Sequence, residues 1–177
     1  KLYLNDGSGG FVNGAGTAIG SDTENTFSVM LGDIDGDGDL DLVAGNNGQT
    51  NKLYINDGSG GFPNNTTAST AIGSDSDSTY SVTLGDIDGD GDLDLVTGDY
   101  GQTNKLYIND GSGGFVNGAG TAIGSDSDNT RSVTLGDIDG DGDLDLVAGN
   151  YGLTNKLYFN DGSGSFTAGA GTAIGSD

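Results

Sequence analysis

The sequence predicts an all-β protein built as a β-propeller-type array of four-stranded antiparallel blades. Two observations lead to this prediction. The first is composition, because 36 of the 177 residues are Gly and only one is Pro, and Gly is among the poorest helix formers. The second is the alternation of short Val, Ile, Leu and Tyr runs with Asp, Gly, Ser and Asn, which is typical of short strands and tight turns.

Two motifs return along the chain at spacings of 51 or 53 residues, and internal repetition of this kind indicates a repeat architecture. One motif is Lys-Leu-Tyr-x-Asn-Asp-Gly-Ser-Gly, and the other is Asp-x-Asp-Gly-Asp-Gly-Asp-x-Asp. The first begins at Lys1, Lys52, Lys105 and Lys156, and the second at Asp33, Asp86 and Asp137. Residues 1–51 and 105–155 differ at only seven positions. The middle copy carries a two-residue insertion around residues 63–67.

Each repeat divides into four strand-like segments. In the middle copy these are Tyr80–Ile87, Leu93–Thr97, Lys105–Asn109 and one lying between Phe115 and Ser125. The Asn-Asp-Gly-Ser-Gly sequence after the third segment favours a hairpin turn, because Asn, Asp and Gly tolerate positive φ. Four antiparallel strands in about 50 residues correspond to one propeller blade. A linear β-solenoid or a loose array of hairpins is the alternative, although the repeat is long for a solenoid with short coils.

The repeats predict one array over residues 1–177, with three full blades and a half-blade. The half-blade is 1–22, and the blades are 23–73, 74–126 and 127–177. A blade cannot bury both faces of its small sheet alone, so neighbouring blades are expected to supply the core. The residues predicted to be buried in the middle copy are Val82, Leu84, Ile87, Leu93, Leu95, Leu106 and Ile108.

The formal charge of −22 argues against nucleic acid as a partner and against adsorption to anionic membranes. Cys and His are both absent, which excludes disulfides, zinc sites of the usual kind and His-based catalysis. No apolar run is long enough to span a membrane, so membrane insertion is not expected.

Carboxylates are the remaining acid–base groups, and their clusters recur in near-identical copies. A catalytic site is normally built once, so the sequence predicts a protein that is not an enzyme.

The Asp-rich motif, here termed the Asp loop, has the pattern of a metal site. Carboxylates at positions one, three and five converge if the chain curls, Gly at position six permits the sharp turn, and position seven offers its carbonyl. The Asp at position nine can complete the shell of oxygen ligands around the ion. Such a loop meets the preference of Ca²⁺ for six to eight oxygens. The candidate ligands are Asp33, Asp35, Asp37, Asp39, Asp41, Asp86, Asp88, Asp90, Asp92, Asp94, Asp137, Asp139, Asp141, Asp143 and Asp145.

The sequence therefore predicts about one Ca²⁺ per Asp loop, three in the chain. Two carboxylates about 5 Å apart repel by roughly 3 kcal/mol at an effective dielectric near 20, so the loops need a cation. A merely solvated acidic turn is the alternative. An EF-hand is not predicted, because position 12 is Ala44, Thr97 or Ala148 where an EF-hand has Glu, and no helical periodicity flanks the loop.

The combination of Leu-Gly-Asp-Ile-Asp-Gly-Asp-Gly-Asp-Leu-Asp-Leu-Val with Lys-Leu-Tyr-x-Asn-Asp-Gly-Ser-Gly-x-Phe resembles the FG-GAP/VCBS repeat family over essentially the whole chain. That resemblance implies calcium-binding propeller blades, as in integrin α-chains and secreted bacterial proteins. It also implies that the five Asp of each loop are calcium positions and that the protein is extracellular or on a cell surface. Phe-Gly and Gly-Ala-Pro, which gave the family its name, do not occur, so integrin-like ligand binding is not carried over.

In an antiparallel blade the turns alternate between two rims, so the Asp loop and the Asn-Asp-Gly-Ser-Gly turn are expected on the same rim. Five of the seven differences between the two short copies fall in or beside the loops of the opposite rim. They are Thr23/Ser127, Glu24/Asp128, Phe27/Arg131, Asn47/Tyr151 and Gln49/Leu153. We hypothesise that this opposite rim contacts a glycan or surface protein, the alternative being neutral drift. Tyr54, Tyr107 and Tyr158 are interpreted as packing residues, and the sequons in residues 64–67 as coincidental.

These observations predict a calcium-rigidified extracellular repeat protein with a structural role in adhesion, surface display or filament assembly. A lectin-like, carbohydrate-binding propeller module is the alternative. The chain begins and ends inside a repeat, so it is expected to be a section of a longer array. Three blades and a half-blade cannot close a ring of four or more blades. Self-association or continuation of the same array is therefore the expected partner relationship.

Overall fold

The computed structural model describes residues 1–59, 61–62, 70–115, 118–166 and 169–175, with backbone alone for 13–15. Every regular element in these ranges is a β-strand, which confirms the all-β prediction. No helix capable of crossing a membrane occurs in the described part of the chain. The insertion around residues 63–67, with its sequons in residues 64–67, lies outside the described residues.

The strands form one two-stranded hairpin and three four-stranded antiparallel sheets, each a simple meander. The hairpin, termed the half-blade, consists of β1 (Leu2–Asn5) and β2 (Phe11–Thr17). The first blade contains β3 (Thr26–Gly32), β4 (Asp41–Asn46), β5 (Asn51–Tyr54) and β6 (Thr70–Ile72). The middle blade contains β7 (Thr79–Gly85), β8 (Asp94–Asp99), β9 (Lys105–Tyr107) and β10 (Thr121–Ala122). The third blade contains β11 (Thr130–Gly136), β12 (Asp145–Asn150), β13 (Asn155–Tyr158) and β14 (Thr172–Ile174). These are the predicted propeller-type blades.

The hydrophobic core lies between the blades, as expected for sheets that cannot bury both faces alone. One buried cluster joins the first and middle blades, and a second joins the middle and third blades. Of the predicted core residues, Val82, Ile87, Leu95 and Leu106 are buried, while Leu84, Leu93 and Ile108 are partly buried and pack against these clusters. A smaller cluster joins the half-blade to the first blade.

Close contact between blades depends on glycine in the second strand. A Cβ placed on Gly45 of β4 would lie 2.8 Å from Cγ1 of Val82 in β7, and one on Gly98 would lie 2.8 Å from Cγ1 of Val133. Real Cβ contacts are longer than this, so the first strands of the middle and third blades pack directly on the backbone of the preceding blade. This positions each Asp loop, which follows a first strand, beside the interface.

The Lys and Tyr of the Lys-Leu-Tyr motif hold the linker that enters their blade. The Tyr107 hydroxyl donates a 3.0 Å hydrogen bond to Asp75 Oδ2, and Lys105 Nζ lies 2.7 Å from Asp75 Oδ1. Tyr158 contacts Asp126 in the same way, at 2.9 Å. The recurring tyrosines of the three blades are buried, which confirms that they are packing residues and adds a hydrogen-bonding role.

Candidate metal centre

The Asp loop joins the first two strands of each blade, and its two glycines let the chain curl. In the middle blade Gly89 has φ of 79° and Gly91 has φ of 98°, a region that side-chain-bearing residues rarely adopt. The carboxylate of Asp86 accepts hydrogen bonds from the N–H groups of both glycines, at 2.8 and 3.1 Å. Asp88 accepts one from the N–H of Asp90. The short-range Asp–Gly alternation thus folds the loop around its own carboxylates.

The curled loops bring three carboxylates of each blade together. Within each group, one oxygen per residue lies within 4.8 Å of the others. The groups are Asp33, Asp35 and Asp37; Asp86, Asp88 and Asp90; and Asp137, Asp139 and Asp145. Positions one, three and five therefore converge in the first two loops, whereas in the third loop positions one, three and nine do.

Position nine is buried and has a second task. Asp94 accepts hydrogen bonds from the N–H of Ile87 and the N–H of Asn109, each at 2.9 Å. Burial raises its pKa to about 6, and the nearby carboxylates of Asp88 and Asp90 add to this effect. Asp41 and Asp145 make the same pair of bonds in their blades. Position nine thus ties the Asp loop to the turn after the third strand, using oxygens that were predicted only as metal ligands.

Position seven lies against that turn. The carboxylate of Asp39 lies beside Gly58, that of Asp92 beside Gly111, and that of Asp143 beside Gly162. The Asp loop and the Asn-Asp-Gly-Ser-Gly turn therefore share one rim, as the strand connectivity predicted. In the described residues the side chains at position seven are outside the three carboxylate groups.

The residues present fit a bound cation. Asp33 Oδ1 is buried and has no hydrogen-bond partner among the described residues, and a buried carboxylate oxygen without a partner is costly. Burial also raises the pKa of Asp35, and the charges of Asp41, Asp37 and Asp33 raise it further. A divalent cation among these oxygens would give Asp33 Oδ1 a partner and would stabilise the charged form of Asp35. Hard cations prefer carboxylate and carbonyl oxygen.

Each of the first two loops is also fastened to the next blade. Asn109 Nδ2 donates a 2.8 Å hydrogen bond to the carbonyl of Ile34, the second residue of the first loop. Asn160 donates an equivalent bond to Ile87 in the middle loop. Sequence reasoning missed this contact between blades, although the signal was present: Asn precedes Asp-Gly in every copy of the motif.

The opposite rim carries a stack of aromatic rings and one cation. The ring centroids of Phe27 and Tyr80 are 4.6 Å apart, and those of Tyr80 and Tyr100 are 5.1 Å apart. The guanidinium of Arg131 lies 4.0 Å from the ring centroid of Tyr151 and 5.5 Å from that of Tyr100. Three of these residues, Phe27, Arg131 and Tyr151, occupy positions where the two short copies differ. Phe27, Arg131 and Tyr151 thus join Tyr80 and Tyr100 of the middle blade in one stack that spans three blades.

Family models match almost the entire chain. The model of the FG-GAP-like repeat matches residues 1–44, 33–97 and 86–148, and that of the FG-GAP repeat matches residues 129–172. The chain belongs to the FG-GAP repeat family. No significant match is found among curated proteins. As an array of FG-GAP repeats, the chain is a repeat protein of the integrin-like type, and its three Asp-rich groups could hold metal ions.

Proposed function

We propose that this FG-GAP array is a non-enzymatic, calcium-stabilised extracellular repeat protein with a structural role in adhesion, surface display or filament assembly. The observation that carries the proposal is the convergence of three carboxylates within 4.8 Å in every Asp loop, beside the turn of the same blade. The proposed ligands are the five Asp side chains or carbonyls of each loop, over 33–41, 86–94 and 137–145.

Calcium is the metal that suits these loops best. It accepts six to eight oxygens in flexible geometry, whereas Mg²⁺ requires a tighter octahedral shell and retains water. The carboxylates belong to loops whose backbone is already curled by Gly38 (φ 95°), Gly91 (φ 98°) and Gly142 (φ 101°). Because the loop also contacts neighbouring blades through Ile34 and Ile87, the cation would stabilise the array and not merely one turn.

The repetition and the family both support the proposed structural role. The three Asp loops are identical in sequence, so they offer three copies of one environment in place of a single specialised site. FG-GAP repeats are typical of extracellular and surface proteins, which supports this location. Calcium bound only by the folded state adds stability, about 2.7 kcal/mol at a free concentration 100 times the Kd.

Calorimetric titration and thermal melting test the metal assignment. The intact chain should bind about three Ca²⁺, and a chelator should lower its melting temperature. The double substitution Asp88→Asn/Asp90→Asn should reduce the stoichiometry to about two and weaken the effect of calcium on melting. A control with the same loss of charge, Asp57→Asn/Asp110→Asn in the hairpin turns, should keep all three sites. A chelator-insensitive melting curve would contradict the proposal.

Carbohydrate binding is a second candidate function, and the aromatic stack around Tyr80 and Tyr100 favours it. Stacked rings beside Arg131 offer both apolar faces and hydrogen-bond donors, which suit the two kinds of surface on a sugar. Glycan-array screening at a fixed calcium concentration tests this candidate. Binding that persists at fixed calcium supports it, and the absence of any binding leaves the structural role as the function of the array.

A further inference from the structure

Exposed large hydrophobic side chains are confined to the two ends of the array. Among the described residues, the half-blade, the first blade and the third blade each carry four, and the middle blade carries none. They are Tyr3, Leu4, Phe11 and Val12; Phe27, Val29, Leu31 and Leu40; and Ile138, Tyr151, Leu153 and Ile174. Phe27, Tyr151 and Leu153 belong to the rim opposite the Asp loops, whereas Val29 and Leu31 show that the face of the first blade is exposed where no blade covers it.

The internal interfaces show what covers the open face of the first blade. Val29 is 58% exposed, whereas its equivalents Val82 and Val133 are 4% and 7% exposed. Val82 packs on Gly45 of the preceding blade, and Val133 packs on Gly98. The surface that fits Val29 is therefore a second strand with an uncovered glycine at that position.

The third blade has such a surface. A Cβ on Gly149, the equivalent of Gly45 and Gly98, would contact only Ser132 atoms, at 3.5 and 3.6 Å. A Cβ on Gly136 would contact only Ile138, at 3.9 Å, whereas one on the equivalent Gly85 would lie within 3.0 Å of two leucine side chains of the next blade. The open face of the third blade is thus complementary to the open face of the first.

Hydrogen bonds at the internal interfaces follow the same register. The N–H of Val82 donates to Ser28 Oγ, and the N–H of Val133 donates to Ser81 Oγ, each at 3.2 Å. The corresponding groups at the open ends are the N–H of Val29 and the hydroxyl of Ser132. Apolar contacts and polar contacts between the two ends would therefore form together.

We propose that the first blade of one copy docks on the third blade of a second copy, head to tail. A second copy of this chain fits both open faces, because docking there would repeat an interface that the chain already forms twice. The inference deepens the structural role proposed above and rests on it only for its biological purpose. Such a heterologous contact generates a ring if its rotation closes and a filament if it does not.

The half-blade offers a second hairpin for the blade at the junction between the two copies. Residues 1–22 and 156–177 differ at only four positions, so either hairpin can complete the blade at the junction. A groove lined by Ile19, Val29 and Leu42, among other residues, separates the half-blade from the first blade. This groove lies where the first two strands of a preceding blade would insert. In both arrangements, Val29 meets the second strand of the incoming blade.

Two variants, one for each face, test the contact at saturating calcium. Gly136→Ala/Gly149→Ala adds methyl groups that fit the isolated third blade but would clash with an incoming Val29 or Leu31. Val29→Asp places a charge on the exposed face of the first blade. Each variant should weaken self-association by roughly tenfold or more, since overpacking of one interface is costly. Light scattering over a concentration series measures this.

Mixing the two variants gives the decisive result. Each retains one intact face, and the two intact faces are complementary, so the mixture should form a one-to-one complex at concentrations where neither variant alone associates. Gly98→Ala is the matched control, because Gly98 occupies the position of Gly149 at the interface between the middle and third blades. Its added methyl group would clash with Val133 within the chain and should lower the melting temperature. A wild-type chain that stays monomeric while binding calcium would overturn the docking inference and leave the calcium proposal intact. Association that both single-face variants retain would also overturn it.

Discussion

Asn109 of the middle blade donates a 2.8 Å hydrogen bond to the carbonyl of Ile34 in the Asp loop of the first blade, across 75 residues of sequence. The same side chain also contacts the carbonyl of Leu93 in its own loop, at 3.3 Å. One amide therefore connects two consecutive Asp loops. Because both carbonyls belong to loops rich in carboxylate, the geometry of the first two candidate metal centres depends on the blade that follows each of them.

Asn109→Ala should lower the free energy of unfolding by about 1–3 kcal/mol, because it leaves the carbonyl of Ile34 without its donor at a buried position. Urea denaturation in saturating calcium measures the loss. Asn5 occupies the same motif position in the half-blade but is exposed, and its Oδ1 accepts a local 2.7 Å hydrogen bond from the N–H of Gly7. Asn5→Ala should therefore change stability by less than about 0.5 kcal/mol. Equal effects of the two substitutions would show that the contact between blades contributes nothing.

Tyr107→Phe tests the hydrogen bond between Tyr107 and Asp75, which holds the segment that enters the middle blade. Burial alone would raise the pKa of Asp75, but hydrogen bonds from Lys105, the N–H of Gly120 and Tyr107 outweigh it and lower that pKa. A lowered carboxyl pKa stabilises the fold above the usual value of 3.8, and this stabilisation is lost as pH falls. The variant should cost about 1 kcal/mol at pH 7 and begin acid unfolding at a higher pH.

Tyr3→Phe is the matched control for the loss of the Tyr107 hydroxyl, because Tyr3 has the same motif position on the half-blade and is 49% exposed. Its acid unfolding should coincide with that of the wild type. If Tyr107→Phe also matched the wild type in a pH series of thermal melts, the hydrogen bond to Asp75 would not be a stabilising contact.

The blades and their metal loops could be predicted because they depend on local patterns. Alternating apolar residues set the strands, and Asp–Gly alternation curls the loop from within, as the bonds from Gly89 and Gly91 to Asp86 show. The bonds made by Asn109 and by Tyr107 could not be predicted, because their partners lie 75 and 32 residues away. Their formation depends on how one blade is placed on the next, which no spacing within a repeat specifies.

The middle blade departs from its neighbours at a buried polar position. Asp99 is fully buried where the other blades have Asn46 and Asn150. It accepts hydrogen bonds from the hydroxyls of Thr79, at 2.7 Å, and Thr97, at 2.8 Å. Thr97 also replaces the alanine of the other two blades. The extra hydroxyl thus partly compensates for a buried carboxyl group.

Thr97→Ala/Asp99→Asn, which restores the pattern of the other blades, should stabilise the protein at pH 7. Burial raises the pKa of Asp99 to about 6, so between about pH 4 and 6 the folded state keeps a proton that the unfolded state releases. The free energy of unfolding therefore falls as pH rises through this window, by up to about 3 kcal/mol. The variant should lack this decrease.

The difference between wild type and variant across pH 4 to 7 isolates Asp99, because Asp94 titrates in both proteins. Chemical denaturation at each pH provides the measurement. The reciprocal substitution Asn46→Asp, made beside Ala44 and without the extra hydroxyl, should destabilise the protein at pH 7. Parallel stability curves for wild type and the Asp99 variant would show that this carboxyl does not titrate in the window.

The aromatic stack allows stability and recognition to be separated. Arg131 lies over Tyr151 at an exposed site, where a cation–π contact contributes about 0.5–1 kcal/mol. Replacing Tyr100, Arg131 and Tyr151 together by Ala should therefore change the melting temperature only slightly, yet weaken binding to any glycan or surface protein recognised by this rim. Tyr3→Ala/Phe11→Ala removes an aromatic pair from the half-blade, where the ring centroids are 6.5 Å apart, and should leave such binding unchanged. Because the rings lie on the rim opposite the Asp loops, the triple variant should still bind three Ca²⁺. Unchanged ligand binding by the triple variant would exclude the rim as a recognition surface.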